Sequence, residues 1–339
     1  MSERLEDIAA AMMADGKGLL AADESSGTIK KRFDAIGVES TETNRRDYRE
    51  MMFRATDAMR NNISGVILYD ETIRQKAADG TPLVDIIKAA GAVPGIKVDK
   101  GAKPMAGFPG ETVTEGLDGL RERFAEYYGL GARFAKWRAV IDIASGIPTA
   151  SAIAANCQAL ARYAALAQEA KIVPIVEPEV LMDGDHDINA CFEVTKAVLM
   201  KLYEELYASR IVLEGSILKP NMVIAGKKSR KQSGPEEVAE KTIRCFRETV
   251  PSAIGGIAFL SGGQSDEEAT ANLNAINAIG PHPWKLTFSY GRALQAAPQK
   301  AWAGKKENVA AGQRAFAHRA RMNGLAARGE WKEALEKAA

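Results

Sequence analysis

Eight short apolar runs, each followed by a longer stretch of helical character, alternate through the chain, and this alternation limits the possible folds more than any other feature. The runs are Gly18–Asp23, Gly65–Glu71, Ile96–Lys100, Phe134–Ile141, Ile172–Glu179, the segment from Leu213 to Lys219, Gly256–Gln264 and Lys285–Arg292. Between them, stretches such as 151–170 place Ile153, Cys157, Leu160, Ala164 and Ala167 at three- and four-residue steps along one helical face. Near-continuous apolar strands alternating with amphipathic helices indicate a parallel sheet covered by helices, and eight such units suggest a sheet closed on itself. A doubly wound sheet would carry a Gly-x-Gly-x-x-Gly turn after an early strand, and the sequence has none. The expected fold is therefore α/β, a single (β/α)8 TIM barrel with an added N-terminal helix and C-terminal helices. No Gly/Ser/Pro-rich linker divides residues 1–339, so one domain is expected, with the barrel over about 18–295 and a C-terminal helical region over about 296–339.

Charge narrows the function. Lys and Arg number 45 and Asp and Glu 44, so no overall field favours nucleic acid or an anionic membrane, and any phosphate binding must be local. No apolar run reaches the roughly 18 residues of a membrane span, and Met1–Asp7 is too acidic for a secretory leader. A cytoplasmic protein is expected. Cys157, Cys191 and Cys245 fall in helical segments and read as reduced packing residues. His186, His282 and His318 are far apart, and Asp183–Asp187 lacks the remaining positions of a calcium loop, so neither a metal site nor a cofactor is expected. Asp183–Asp187 reads as a polar turn before a helix, and Lys227–Lys231 and Lys305–Lys306 as solvated surface.

In barrels of this kind the reacting side chains come from the C-terminal ends of several strands. Those ends carry Asp23, Lys97, Lys136, Arg138, Glu177, Glu179, Lys219, Ser261 and Arg292. Lys219 is followed at once by Pro220, which cannot donate a ladder hydrogen bond and should end its strand there. A lysine amine attacks a carbonyl only when neutral, a form that burial and a neighbouring cation favour. Lys219 as nucleophile, Lys136 as the cation, and Glu177 and Asp23 as proton donors or acceptors would together perform carbonyl chemistry, with the imine acting as an electron sink for carbon–carbon cleavage. The remaining groups suit anions. Ser261-Gly-Gly follows strand seven and Ser289-Tyr-Gly-Arg292 follows strand eight, where barrels frequently bind phosphate. A second phosphate would sit across the mouth with Ser25, Thr28 and Lys97, Ser25–Thr28 being read as a small polar loop.

These segments resemble the class I, Schiff-base fructose-bisphosphate aldolases. The matching stretches are Leu19–Gly27, Gly95–Gly101, Gly116–Leu120, Phe134–Arg138, Ile175–Glu179, Leu218–Met222, Phe259–Gln264 and Thr287–Arg292, in order across almost the whole chain. The resemblance implies an eight-stranded barrel, usually a homotetramer, that reversibly cleaves fructose 1,6-bisphosphate to dihydroxyacetone phosphate and glyceraldehyde 3-phosphate. It implies that Lys219 forms the Schiff base and that Glu177 handles proton transfers during imine formation. Lys136 and Asp23 would act in carbinolamine formation and at the hydroxyl whose deprotonation starts cleavage, with Glu179 and Arg138 in support. Ser261, Gly262, Gly291 and Arg292 would hold the ketose-side phosphate, and Ser25, Thr28 and Lys97 the other.

Two departures stand out. Many eukaryotic members end in a tail whose terminal tyrosine helps exchange a proton on the enamine, whereas this sequence ends in Lys332–Ala339, and slower exchange is expected. Thr28 stands where many relatives carry serine. The same chemistry on sedoheptulose 1,7-bisphosphate, a barrel kept only for binding or scaffolding, and a metal-dependent aldolase stay open as alternatives at this level.

Overall fold

The structure, a computed structural model, describes residues 4–337. Residues 1–3 and 338–339, which the sequence reading assigns to the same domain, lie outside the described residues. All eight expected strands form: β1 (Gly18–Ala22), β2 (Ile63–Leu68), β3 (Val93–Lys97), β4 (Phe134–Ile141), β5 (Val173–Val180), β6 (Ile217–Leu218), β7 (Gly256–Phe259) and β8 (Leu286–Tyr290). They are parallel, each pairs with its neighbours in chain order, and β8 closes onto β1. The helices between them cover the outside, and one continuous apolar layer, including Leu20, Val66, Ile96, Trp137 and Leu218, joins sheet to helices.

A second, smaller cluster fills the barrel. Leu19, Ala21, Ile67, Phe134, Val173, Ile175, Ile217 and Ala258 point inward, and Ile8, Ala9, Met12 and Met13 from the N-terminal helix (Leu5–Met12) and its C-cap plug the bottom. Phe134 takes up much of this space because β3 and, one strand further on, β2 present glycine. A Cβ on Gly95 would stand 2.3 Å from the Phe134 ring, and one on Gly65 3.0 Å from it. Apolar packing thus fills the interior from below, and the charged side chains gather above, where the strands end.

The structure departs from the sequence reading in several places. The run from Leu213 is not one strand: Leu213–Gly215 makes a 3-10 turn and only Ile217–Leu218 pairs in the sheet. Just before the paired residues, the Gly255 amide donates to the Ser216 carbonyl at 3.0 Å. Ser25–Thr28 is not a loop but a helix start. Ser25 caps helix Ser26–Asp34, accepting from the Thr28 amide at 3.4 Å. The boundary near 295 falls inside helix Arg292–Trp302, so barrel and C-terminal helices share that element. A two-stranded antiparallel hairpin, Ala102–Pro104 with Thr112–Thr114, comes after β3 and was not foreseen. The three cysteines are free, buried and helical as expected, and Asp187 caps helix Ile188–Ala208.

Gly95→Ala should force the Phe134 ring aside and lower stability by roughly 1–3 kcal/mol, the usual range for overpacking. Adding Phe134→Leu should recover part of that loss, as read from chemical-denaturation midpoints; no recovery would mean the strain lies elsewhere.

Candidate active site

Side-chain alternation explains how the strands deliver their polar groups. In β4, Lys136 and Arg138 share a face, as do Glu177 and Glu179 in β5. Register then sets heights: Lys97 pairs with Lys136 and Arg138 with Glu177. Because β4 and β5 are eight residues long, they carry these side chains past the apolar plug and into the mouth. Lys219 comes directly after β6, its amide bonded to the Val176 carbonyl at 2.8 Å, which locks the lysine beside Glu177.

At the centre is a chain of buried charges. The Lys219 ammonium nitrogen stands 3.1 Å from Glu177 Oε1, and Lys136 Nζ stands 3.2 Å from Glu177 Oε2 and 2.8 Å from Asp23 Oδ2. Lys219, Lys136 and Glu177 are each less than 5 % exposed. Burial alone would push both carboxylates up; Lys136 first, then Lys219, outweigh it and hold Asp23 and Glu177 below the usual carboxylate range. Burial would likewise lower Lys136, yet Asp23, Glu177 and Asp99 together raise it and keep it cationic.

Around this chain lies a cavity of about 450 Å³ whose lining includes all thirteen residues singled out from the sequence. Asp23, Lys136, Glu177, Glu179 and Lys219 are brought together with Arg138, which bonds Glu179, and with Ser261, Gly262, Gly291 and Arg292 on one side and Ser25, Thr28 and Lys97 on another. Gly262 has φ +56°, a left-handed conformation that glycine adopts without strain, and its carbonyl accepts from Arg292. Ser25 and Thr28 hydroxyls lie 3.1 Å apart at the helix N-terminus, where backbone amides favour anions. Six cationic side chains against four carboxylates line the cavity, an excess that suits a ligand with more than one negative group.

Sequence reasoning missed several contributors. Asp99 is buried and pairs with Lys97 at 3.1 Å while accepting from the Arg138 amide at 3.3 Å; its position two residues after Lys97 is the period-two signal that could have found it. Arg32 enters the cavity held by Glu24, itself braced by Gln295 at 2.7 Å and by the fully buried Arg49. Only the tertiary fold joins those three segments. Ser289 lines the cavity with its hydroxyl buried and without a hydrogen-bond partner among the described residues. Among the described residues no cluster of three or more His, Cys, Asp or Glu is arranged to hold a metal ion.

Fold and cavity together define a parallel-barrel enzyme with buried lysines and an anion-accepting mouth. The sequence model of the fructose-bisphosphate aldolase class-I family matches residues 4–339. A probable class 1 fructose-bisphosphate aldolase of Xanthomonas campestris pv. campestris is 57% identical over 331 residues, 97% of this chain and 99% of that protein. Fructose-bisphosphate aldolase C of Rattus norvegicus is 53% identical over 331 residues, 97% of this chain and 91% of that protein. The fructose-bisphosphate aldolase of Plasmodium falciparum, solved with TRAP and a small-molecule inhibitor, superposes with a TM-score of 0.94 at 49% identity, covering 97% of this chain and 95% of that one. The chain belongs to the class I fructose-bisphosphate aldolase family, carbon–carbon lyases that act on phosphorylated sugars through a Schiff base.

The charge chain fixes an acid response. Asp23 and Glu177, held low, contribute stability in full above the unfolded carboxylate value of about 4, and lose it as pH falls toward their folded values. Lys136→Met removes the cation that outweighs their burial, so the acid-unfolding midpoint should move to higher pH, with a neutral-pH loss of about 3–5 kcal/mol. An unmoved midpoint by circular dichroism would contradict this electrostatic account.

Proposed function

We propose that Lys219 is the Schiff-base residue and that the four linked charges divide the proton transfers of fructose 1,6-bisphosphate cleavage among them. The observation that carries this reading is Glu177 bridging Lys219 and Lys136 at 3.1 and 3.2 Å, within reach of the protons that imine formation must move. Once one ammonium proton of Lys219 has passed to Glu177, the free amine attacks the ketose carbonyl. The oxygen takes a proton from Lys136, and the proton shed by the newly bonded nitrogen restores Lys136. The Lys219 ammonium is one of the charges holding Glu177 ionised; as that charge is consumed, Glu177 gains affinity for the proton it has taken. It then returns the proton to the carbinolamine hydroxyl, and water leaves. The resulting iminium accepts the electron pair of the breaking carbon–carbon bond while Asp23, kept ionised by Lys136, takes the proton of the hydroxyl on the departing aldehyde. Protonation of the enamine carbon and hydrolysis release dihydroxyacetone phosphate and restore Lys219. Glu179 and Arg138, paired to each other, support the wall against which these groups are held.

Ser261, Gly262, Gly291 and Arg292 take the ketose-side phosphate in this reading, and Ser25, Thr28 and Lys97 the aldehyde-side one. Arg292 has no carboxylate within ion-pair distance among the described residues, which leaves its charge available to a ligand. Fructose 1,6-bisphosphate is the preferred substrate over sedoheptulose 1,7-bisphosphate, and the enzyme works in the cytoplasm as a homotetramer. Among the described residues no helix is long and apolar enough to cross a membrane.

Borohydride reduction in the presence of dihydroxyacetone phosphate, followed by peptide mass spectrometry, should place the adduct on Lys219 alone and without sensitivity to chelators. Cleavage activity with no adduct would overturn the lysine mechanism. Glu177→Gln should lower kcat by about 10²–10⁴ with a smaller change in KM. Arg292→Ala should raise KM for dihydroxyacetone phosphate in the condensation direction by at least about tenfold, the loss of a hydrogen bond to a charged group, while KM for glyceraldehyde 3-phosphate holds. Parallel kinetics on the two bisphosphates test the substrate preference.

A further inference from the structure

The loops after β5, β6 and β7 meet at one sulfur. Met182, half-buried after β5, accepts a hydrogen bond at its Sδ from the Gly263 amide at 3.2 Å, and its carbonyl accepts from the Lys227 amide at 2.7 Å. The Lys227 side chain lies over the same glycine, where a Cβ on Gly263 would be 2.0 Å from Lys227 Cε, and pairs with Asp183 at 3.1 Å. A Cβ on Gly262 would be 3.6 Å from the Met182 sulfur. Ser261-Gly262-Gly263 therefore rests directly on a thioether, and a thioether is a weak acceptor that leaves an amide easy to redirect.

We propose that Met182 is a reversible oxidation site that controls binding of the ketose-side phosphate; the proposal rests on the Ser261–Gly262 loop taking that phosphate. A hydroperoxide transfers one oxygen to the sulfur lone pair, its O–O bond breaks, and water or an alcohol leaves, giving the sulfoxide. An N–H···O bond needs about 2.7–3.2 Å between nitrogen and oxygen, but the sulfur itself already stands 3.2 Å from the Gly263 nitrogen. The new oxygen has no room on that line, so either Gly263 moves outward or the side chain swings away and withdraws the contact. In both cases the loop carrying Gly262 shifts, and the sulfoxide, a far stronger acceptor than the thioether, competes with phosphate for nearby donors. Met182 acts here as a positioning residue and touches no reacting atom.

Cysteine chemistry does not compete at this site. Cys157, Cys191 and Cys245 are buried, and burial pushes the thiols of Cys157 and Cys245 up to about 12, leaving little thiolate to oxidise. Met200, more than half exposed on helix Ile188–Ala208, is the control methionine, since its oxidation alters surface only.

The test treats the full-length enzyme, Met182→Leu and Met200→Leu with graded hydrogen peroxide, locates sulfoxides by peptide mass spectrometry, and compares each protein with its own untreated kinetics. In wild type and Met200→Leu, KM for dihydroxyacetone phosphate should rise at least about tenfold in step with Met182 sulfoxide, with kcat changing less, and methionine sulfoxide reductase should reverse the rise. In Met182→Leu, oxidation of Met200 should leave KM where it was. Met182 staying unoxidised while Met200 converts fully, or converting with KM unchanged, would overturn the proposal. The Arg292→Ala experiment separates the two failures: an intact Arg292 effect with no oxidation effect rejects this inference alone, whereas loss of both rejects the phosphate assignment beneath it.

Discussion

The structure depends on one carboxylate held between two ammonium groups inside a barrel. Glu177 bridges Lys219 and Lys136, and Lys136 in turn holds Asp23; the first three are buried and Asp23 is partly exposed at the cavity wall. Isolated buried charges of this kind would cost several kcal/mol each, so every member needs its neighbours. The barrel supplies them from four different strands, and no local segment could. The same coupling prepares the chemistry, because changing the charge on one group changes the proton affinity of the next.

The surroundings show how such a cluster is held in place. Below it, Phe134 fills the interior where Gly65 and Gly95 make room, and the N-terminal helix closes the floor. Beside it, Asp99 ties Lys97 and the Arg138 backbone together, and Arg49, Gln295 and Glu24 fix Arg32 at the rim. The polar mouth is therefore supported from beneath by packing and from the sides by paired charges. Its cationic excess remains on the anion-facing walls, where Arg292 is held by a carbonyl rather than by a carboxylate.

Several of these supports were not legible in one dimension. Arg32, Glu24 and Arg49 carry no local signal of a shared task; Arg49 lies in helix Glu42–Phe53 and is buried where it meets the Glu24 carbonyl after β1 and the Thr72 hydroxyl of another helix. Met182 carried no signal, since a lone methionine in a loop says nothing about which amide will meet its sulfur. The reading of Ser25–Thr28 as a loop failed for a local reason: a capping serine next to glycine has loop composition, and the helix it starts is specified by the residues from Ile29 onward. In the Leu213–Leu218 run the chain turns through the 3-10 segment Leu213–Gly215 before Ile217 and Leu218 pair, a departure from extended backbone that apolar composition does not show.

The alternation that closes a parallel barrel, and the polar residues at its strand ends, are written in the linear chain. Both are periodic properties of the chain, set by apolar spacing and by the two-residue repeat that aims Lys136 and Arg138, or Glu177 and Glu179, the same way. Which of these groups touch depends on how the strands come together in three dimensions. Contact distances between β1, β4, β5 and the end of β6 result from strand register and barrel closure, which arise from packing across the whole molecule. Sequence spacing holds no record of a 3.1 Å approach between Lys219 and Glu177.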